Sequence, residues 1–117
     1  GHQLVLGMLP EGMMPDHFLK PGKFGVPEPP SASRLTELPD LDLILVPGLA
    51  FDRQGNRIGW GKAYYDGLLA RLPQTTIRVG VACGFQIRAT LPHDPHDQKV
   101  QAILTPDSWF CCCQSVC

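Results

Sequence analysis

The fold class is indicated by residues 41–66, which read LDLILVPGLAFDRQGNRIGWGKAYYD. Residues 41–46 are apolar on both faces, a pattern typical of a central strand in a parallel sheet. A loop rich in Gly, Asn, Asp and Arg follows, and we expect a helix to open at Lys62. Glycine backbone amides, a helix N-terminus and the cations Arg57 and Lys62 all suit a phosphate group. The stretch therefore predicts an anion-binding loop, with an ordinary glycine-rich turn as the alternative.

Neither standard phosphate-loop pattern fits this stretch. A Walker loop needs a glycine six residues before its lysine and a hydroxyl residue after it. Asn56 and Ala63 occupy those two positions here. The dinucleotide fingerprint needs a glycine three residues after Gly61, and that position is Tyr64. Generic motifs therefore leave both interpretations of the loop open.

The sequence after the loop predicts a parallel α/β unit. Pro73 ends the helix, residues 76–83 form a second central strand with Cys83 buried in it, and residues 100–104 form a third strand. A strand, helix and strand in this order predict a right-handed parallel crossover. The loops after residues 46 and 83 should then share the sheet edge where ligands collect. The apolar stripe of the helix comprises Tyr64, Tyr65, Leu68, Leu69 and Leu72.

Length and composition predict one small domain spanning residues 1–117. Residues 3–9 suggest a short strand, and residues 10–40 a long excursion. Ten basic and eleven acidic residues give no electrostatic case for nucleic acid or an anionic membrane as partner. Five cysteines and no recognisable secretory signal predict reduced thiols in the cytoplasm. Four of them lie in an atypical tail, residues 106–117, which is either a loose terminus or a metal site.

Several side chains could carry chemistry, each with a structural alternative. Arg57 and Lys62 would contact a polyphosphate, or they are solvated surface cations. Asp66 and Asp97 would hold the Mg²⁺ of a nucleotide, although Asp66 in the first helical turn also favours the helix dipole.

Histidines and aromatic residues supply weaker candidates. His96 is expected to orient Asp97, and His93 to lie on the surface. Phe24, Trp60, Tyr64 and Tyr65 could stack a flat heterocycle, although at least one of the two tyrosines is expected to be core.

The string PGLAFDRQGNRIGWGKAYYD resembles the signature of the 5-formyltetrahydrofolate cyclo-ligase family, also called methenyltetrahydrofolate synthetase. The likeness extends upstream to residues 24–29 (FGVPEP) and downstream to residues 91–97 (LPHDPHD), and it covers roughly residues 20 to 105. It implies an α/β, three-layer Rossmann-like fold of the cyclo-ligase and NagB-like type. The sheet would be mainly parallel, and the fold would be incomplete at the N-terminus.

The resemblance also implies an activity and its site. ATP would phosphorylate the formyl oxygen of 5-formyltetrahydrofolate, N10 would close on the activated carbon, and phosphate would leave to give 5,10-methenyltetrahydrofolate. Arg57 and Lys62 would be catalytic, and Asp66 and Asp97 would bind Mg²⁺. The implied nucleotide-binding residues are Arg57, Ile58, Gly59, Trp60, Gly61, Lys62, Ala63, Tyr64 and Tyr65. The implied folate-binding residues are Phe24, Trp60, Gly61, Lys62, Ala63 and Tyr64.

Three departures from the family pattern make turnover an open question. An N-terminal segment with phosphate and folate contacts is expected to be missing. Ala63 replaces a customary glycine, and Gln101 replaces an aspartate usual four residues after Asp97. The alternative is therefore a non-catalytic remnant of the fold that binds nucleotide weakly. Such a remnant would form a homodimer through the surface left by the missing segment.

Overall fold

The computed structural model of the chain describes residues 6–21, 27–28, 30, 35, 38, 40–59, 64–95 and 97–113. Its contacts divide the chain into two compact units, one of residues 4–39 and one of residues 1–3 with 40–117. Whether the two act as the single domain predicted from the sequence stays a prediction. Within the described ranges, no helix has the length and apolarity needed to cross a bilayer.

The smaller unit contains little regular structure. Helix α1 (Pro15–Phe18) is one turn long, and strands β1 (Lys20–Pro21) and β2 (Pro27–Glu28) pair in the antiparallel sense. Of the strand predicted over residues 3–9, the described part shows only a single bridge at Gly7. Phe24, a predicted folate contact, lies outside the described residues.

The larger unit is built on a four-stranded sheet with the order β3-β6-β8-β9. The strands are β3 (Leu43–Val46), β6 (Ile77–Val81), β8 (Ala102–Leu104) and β9 (Trp109–Cys111). The first three are parallel, and β9 returns antiparallel to β8. This arrangement confirms the predicted α/β class with a mainly parallel sheet.

A second, three-stranded sheet was not predicted from the sequence. Its central strand β4 (Ala50–Asp52) pairs antiparallel with β5 (Arg57–Ile58) and parallel with β7 (Ile87–Arg88). A 3₁₀ turn at Gly84–Gln86 leads into β7. The hairpin β4–β5 lies within the stretch predicted to be a loop, and it delivers Arg57 as the first residue of β5.

Helix α2 (Tyr64–Arg71) lies in the chain between β5 and β6. It contributes Leu68 and Leu69 to the core. Its predicted apolar stripe is confirmed at Leu68, Leu69 and Leu72, which are all buried. Arg78 on β6 is also buried, and its guanidinium donates to the carbonyls of Leu69 and Thr76 at 2.9 Å each. The bond to Leu69 O satisfies a carbonyl in the last turn of α2, where a cation is favoured by the helix dipole.

Two cysteine predictions are wrong, and the position of one strand differs from expectation. Cys83 is exposed because β6 ends at Val81 and the chain turns away before it. Cys111 closes β9 and is disulfide-bonded, whereas reduced thiols were expected. Among the described residues β3 is an edge strand, whereas its pattern predicted a central one.

Candidate functional site

Two loops meet at the carboxyl edge of the parallel sheet, as the crossover predicts. The side chain of Gln86, in the loop after β6, donates from Nε2 to Gly48 O at 3.0 Å and to Leu49 O at 3.1 Å, both after β3. Its Oε1 accepts from the Cys83 amide at 2.8 Å. The side-chain amide of Gln86 therefore fixes the start of the candidate phosphate loop to the loop that follows β6.

Asp52 holds the hairpin that presents Arg57. Its buried carboxylate accepts four N–H groups at 3.0 Å each, from the backbone of Gln54, Asn56 and Leu91 and from the Asn56 side chain. Burial raises the pKa of Asp52, but these hydrogen bonds outweigh it, so the pKa lies below its ordinary value of 3.8. Leu91 begins the segment that carries Asp97. Asp52 therefore bonds both to the hairpin that carries Arg57 and to the segment that carries Asp97.

Tight packing in the hairpin depends on Gly55. Its φ of 92° lies in the left-handed region, which glycine adopts without strain. A Cβ at this position would also run into the carbonyl oxygen of Val100. The turn therefore requires a glycine for two independent reasons.

Arg57 is not the solvated surface cation of the alternative interpretation. Its side chain is only 5% exposed, and its Nη1 donates to Pro47 O at 3.3 Å. Its Nη2 lies 3.7 Å from Asp66 Oδ1, and its guanidinium carbon lies 5.5 Å from the centre of the Tyr65 ring. Within the described part of the chain, Arg57 Nε has no hydrogen-bond partner. A buried cation with an unused donor is suited to bind an anion.

Asp66 contacts both Arg57 and the segment that carries Asp97. Besides facing Arg57, its Oδ1 accepts the backbone N–H of Gln98 at 3.2 Å. Asp97 precedes Gln98 and closes a turn in which its Oδ2 accepts the amide of Asp94 at 2.8 Å. The structure thus brings the segments of both predicted metal ligands together.

These two carboxylates fit a Mg²⁺ ion that arrives with phosphate oxygens and water, because such ions commonly use one or two protein carboxylates. Across the described ranges there is no cluster of three or more His, Cys, Asp or Glu side chains that could hold a metal by itself. The described residues would therefore supply only part of the coordination of such an ion.

The predicted site residues fall partly inside and partly outside the described ranges. Trp60, Gly61, Lys62 and Ala63 lie outside the described residues, as does the side chain of Tyr64. Ile58 pairs with Ala50, and Gly59 follows it, where a Cβ would come within 2.7 Å of Arg57 Nη1. His93 is exposed, with its Nδ1 3.1 Å from Leu91 O, while His96 lies outside the described residues.

Sequence reasoning missed two residues that organise the site. Asp52 and Gln86 hold backbone groups, and their partners are distant in sequence or fixed only by the fold. The sequence did indicate a turn at Asp52–Asn56, because Asp and Asn side chains accept backbone N–H groups a few residues further along the chain. Gln101, noted as a departure, bonds through Oε1 to the Arg78 amide at 2.7 Å within the sheet.

Residues 6–106 match the protein family described as the 5-formyltetrahydrofolate cyclo-ligase family. A mouse 5-formyltetrahydrofolate cyclo-ligase is 46% identical over 72 residues, which cover 58% of this chain and 36% of the mouse protein. The Mycolicibacterium smegmatis 5-formyltetrahydrofolate cyclo-ligase is 36% identical over 85 residues, 72% of this chain and 44% of the relative. The chain thus spans half or less of the length of these relatives.

The fold has a solved counterpart. The NMR structure of Aquifex aeolicus 5,10-methenyltetrahydrofolate synthetase aligns with 84% of this chain and 49% of its own chain. The TM-score is 0.68, with 39% sequence identity. This similarity confirms the predicted fold class, and it leaves half of the Aquifex chain without a counterpart.

Proposed function

This chain belongs to the 5-formyltetrahydrofolate cyclo-ligase family, and from that premise we propose that its site serves the ATP- and Mg²⁺-dependent closure of 5-formyltetrahydrofolate to 5,10-methenyltetrahydrofolate. The observation that carries the proposal is the buried Arg57 guanidinium, which faces Asp66 at 3.7 Å and keeps its Nε unused within the described residues. A transferred phosphoryl group needs positioned cations more than covalent chemistry from the protein.

The roles proposed for Arg57, Asp66 and Gln86 follow from their contacts. Arg57 would bind phosphate oxygens through its planar fork, and the hairpin locked by Asp52 would prevent it from swinging away. Asp66 and Asp97 would hold Mg²⁺, which neutralises phosphate charge when bound. Lys62, which lies outside the described residues, would add a second cation to the phosphate contacts. Gln86 would keep the Pro47–Leu49 backbone in place behind Arg57, since Pro47 O accepts from Arg57 and Gly48 O accepts from Gln86.

The test is a spectrophotometric assay for methenyltetrahydrofolate formation. We expect product that requires both ATP and Mg²⁺ and that is lost in Lys62→Ala. Arg71→Ala removes an equal charge at the exposed C-terminal end of α2 and should keep the activity. If both variants keep the activity, the site does not take part in the reaction.

A second candidate is a non-catalytic chain that binds nucleotide without turnover. It is favoured by Gln101, which stands where the family pattern has an aspartate and whose Oε1 accepts the backbone N–H of Arg78 within the sheet. A rise in melting temperature with MgATP but no methenyl product would select this candidate, because a ligand of the native state stabilises it by mass action.

A further inference from the structure

The candidate site holds a positive and a negative side chain next to each other. Arg57 Nη2 lies 3.7 Å from Asp66 Oδ1, and the two side chains are 5% and 30% exposed. This separation is longer than a hydrogen bond, so the attraction between the two side chains is mainly Coulombic. Within the described residues, the buried Arg57 Nε has no hydrogen-bond partner. Arg57 therefore keeps a donor for an external anion, while a negative charge stands beside it.

Arg57 is held in this position by the backbone around it. Its Nη1 donates to Pro47 O at 3.3 Å. A Cβ on Gly48 would lie 2.9 Å from Arg57 Cγ, and a Cβ on Gly59 would lie 2.7 Å from Nη1. Because both glycines pack this closely against the arginine, its stem and its guanidinium have little room to move. An anion that binds Arg57 must therefore do so beside Asp66.

Asp66 is held in place as well. It lies in the first turn of α2, and its Oδ1 accepts the backbone N–H of Gln98 at 3.2 Å. A carboxylate has about four lone-pair sites, and this bond uses one of them. Among the contacts of the described residues, Asp66 therefore retains acceptor sites for a cation.

These fixed positions determine the charges that a ligand meets. Since Nε and Nη2 belong to one planar guanidinium, a phosphate oxygen bonded to Nε would lie less than about 10 Å from the Asp66 carboxylate, roughly the Debye length in 0.1 M salt. Dissolved salt screens the repulsion only in part over such a distance, and least where a charge is buried, as that of Arg57 is. A polyphosphate without a cation would therefore be attracted by Arg57 and repelled by Asp66.

We propose that Asp66 is a specificity-determining residue, which admits a polyphosphate only together with a divalent cation. A cation bound to Asp66 neutralises the carboxylate and removes the repulsion, whereas a cation alone would be repelled by Arg57. The two ligands therefore raise each other's affinity, and by the same factor, as thermodynamic linkage requires. The class of ligand rests on the proposed function, and the proposal concerns binding rather than turnover.

Asp66→Asn tests the proposal, because it removes the charge and keeps an oxygen that can accept the Gln98 amide. Isothermal titration calorimetry would measure the binding of ATP and of inorganic tripolyphosphate, in metal-free buffer and in saturating Mg²⁺. In the wild-type chain we expect both ligands to bind at least about tenfold more weakly without metal. In Asp66→Asn the metal-free affinity should rise about tenfold, while the affinity in Mg²⁺ should not rise. A purely structural role of Asp66 would give no such gain.

Asp107→Asn is the matched control, since it removes an equal charge at an exposed position in the turn before β9. It should leave the affinities in both buffers unchanged, and far-ultraviolet circular dichroism would show that each variant is folded. The comparison of the two buffers in the wild-type chain does not depend on the folding of a variant.

Three results would overturn the proposal: equal affinity of the wild-type chain in both buffers, no metal-free gain in folded Asp66→Asn, or no binding of either ligand in any buffer. Mutual dependence of the two ligands without methenyl product would count against the proposed function alone. Methenyl product without that dependence would count against this inference alone.

Discussion

Replacing Asp52 by Asn should destabilise the larger unit strongly, because the carboxylate is fully buried and accepts four N–H groups. Each oxygen accepts two of them. An amide keeps one acceptor oxygen and turns an NH₂ group toward the other two donors. The Asn56 side chain can turn its Oδ1, which has no partner among the described residues, toward that NH₂ group, but the Leu91 amide loses its acceptor and the remaining bonds lose a charged one. At about 1.5–3 kcal/mol for each bond to a charged acceptor, the total loss should be at least about 2 kcal/mol.

Urea unfolding at pH 7 measures this loss, with Asp107→Asn as the control. Asp107 is exposed in the turn before β9, and its substitution should change the unfolding free energy by no more than about 0.5 kcal/mol. A loss below about 1 kcal/mol in Asp52→Asn would refute the reasoning, since it would mean that the carboxylate does not hold the hairpin.

The same substitution has a predictable pH dependence. The pKa of Asp52 is lowered in the folded chain from its usual 3.8, so the charged form is the one that the fold stabilises. Its contribution is complete above the unfolded pKa and is lost as the pH falls through the folded pKa. The difference in unfolding free energy between wild type and Asp52→Asn should therefore be constant from pH 5 to 7 and shrink below about pH 4. A difference that grows on acidification would contradict this assignment.

Three further substitutions test the packing by urea unfolding. Gly55→Ala should cost more than about 2 kcal/mol of unfolding free energy, because it combines a left-handed φ of 92° with a clash against Val100 O. Gly67→Ala, in open space on α2, should instead stabilise the chain by up to about 1 kcal/mol. Equal effects of the two substitutions would refute the requirement for glycine at position 55. Arg78→Met should cost about 2–3 kcal/mol because it removes the hydrogen bonds to Leu69 O and Thr76 O. Arg71→Met, at an exposed position, should be nearly neutral. An unchanged urea midpoint in Arg78→Met would show that these bonds make no net contribution to stability. Gln86→Met removes three part-exposed bonds and should cost about 1–2 kcal/mol, whereas Gln98→Met should be neutral because Gln98 contacts Asp66 through its backbone.

The parallel core was predictable because its elements are long enough to show a period. The apolar run before Pro47, the stripe of α2 and the run before Cys83 each indicated their element, and crossover geometry then fixed their relation. Strands β4, β5 and β7 have only two or three residues each, too few for a period, and depend on pairing partners up to 36 residues apart. The strand of the cysteine-rich tail was missed because its composition masked an ordinary β8–β9 pairing.

The site was predictable in its members and not in its connections. Arg57 and Asp66 were each selected from the sequence, but their approach to 3.7 Å depends on how the hairpin and α2 fold together. The same holds for β3, whose apolar sequence predicts burial on both sides. In the structure Leu43 and Leu45 are exposed, because burial depends on the elements packed around a strand as well as on the sequence of the strand.

The buried guanidinium of Arg78 constrains how the site can move. It clamps the last turn of α2 to the sheet through Leu69 O, whereas the first turn carries Asp66 beside Arg57. Leu69 follows Asp66 by only three residues, less than one helical turn, so this bond also limits how far Asp66 can move away from Arg57.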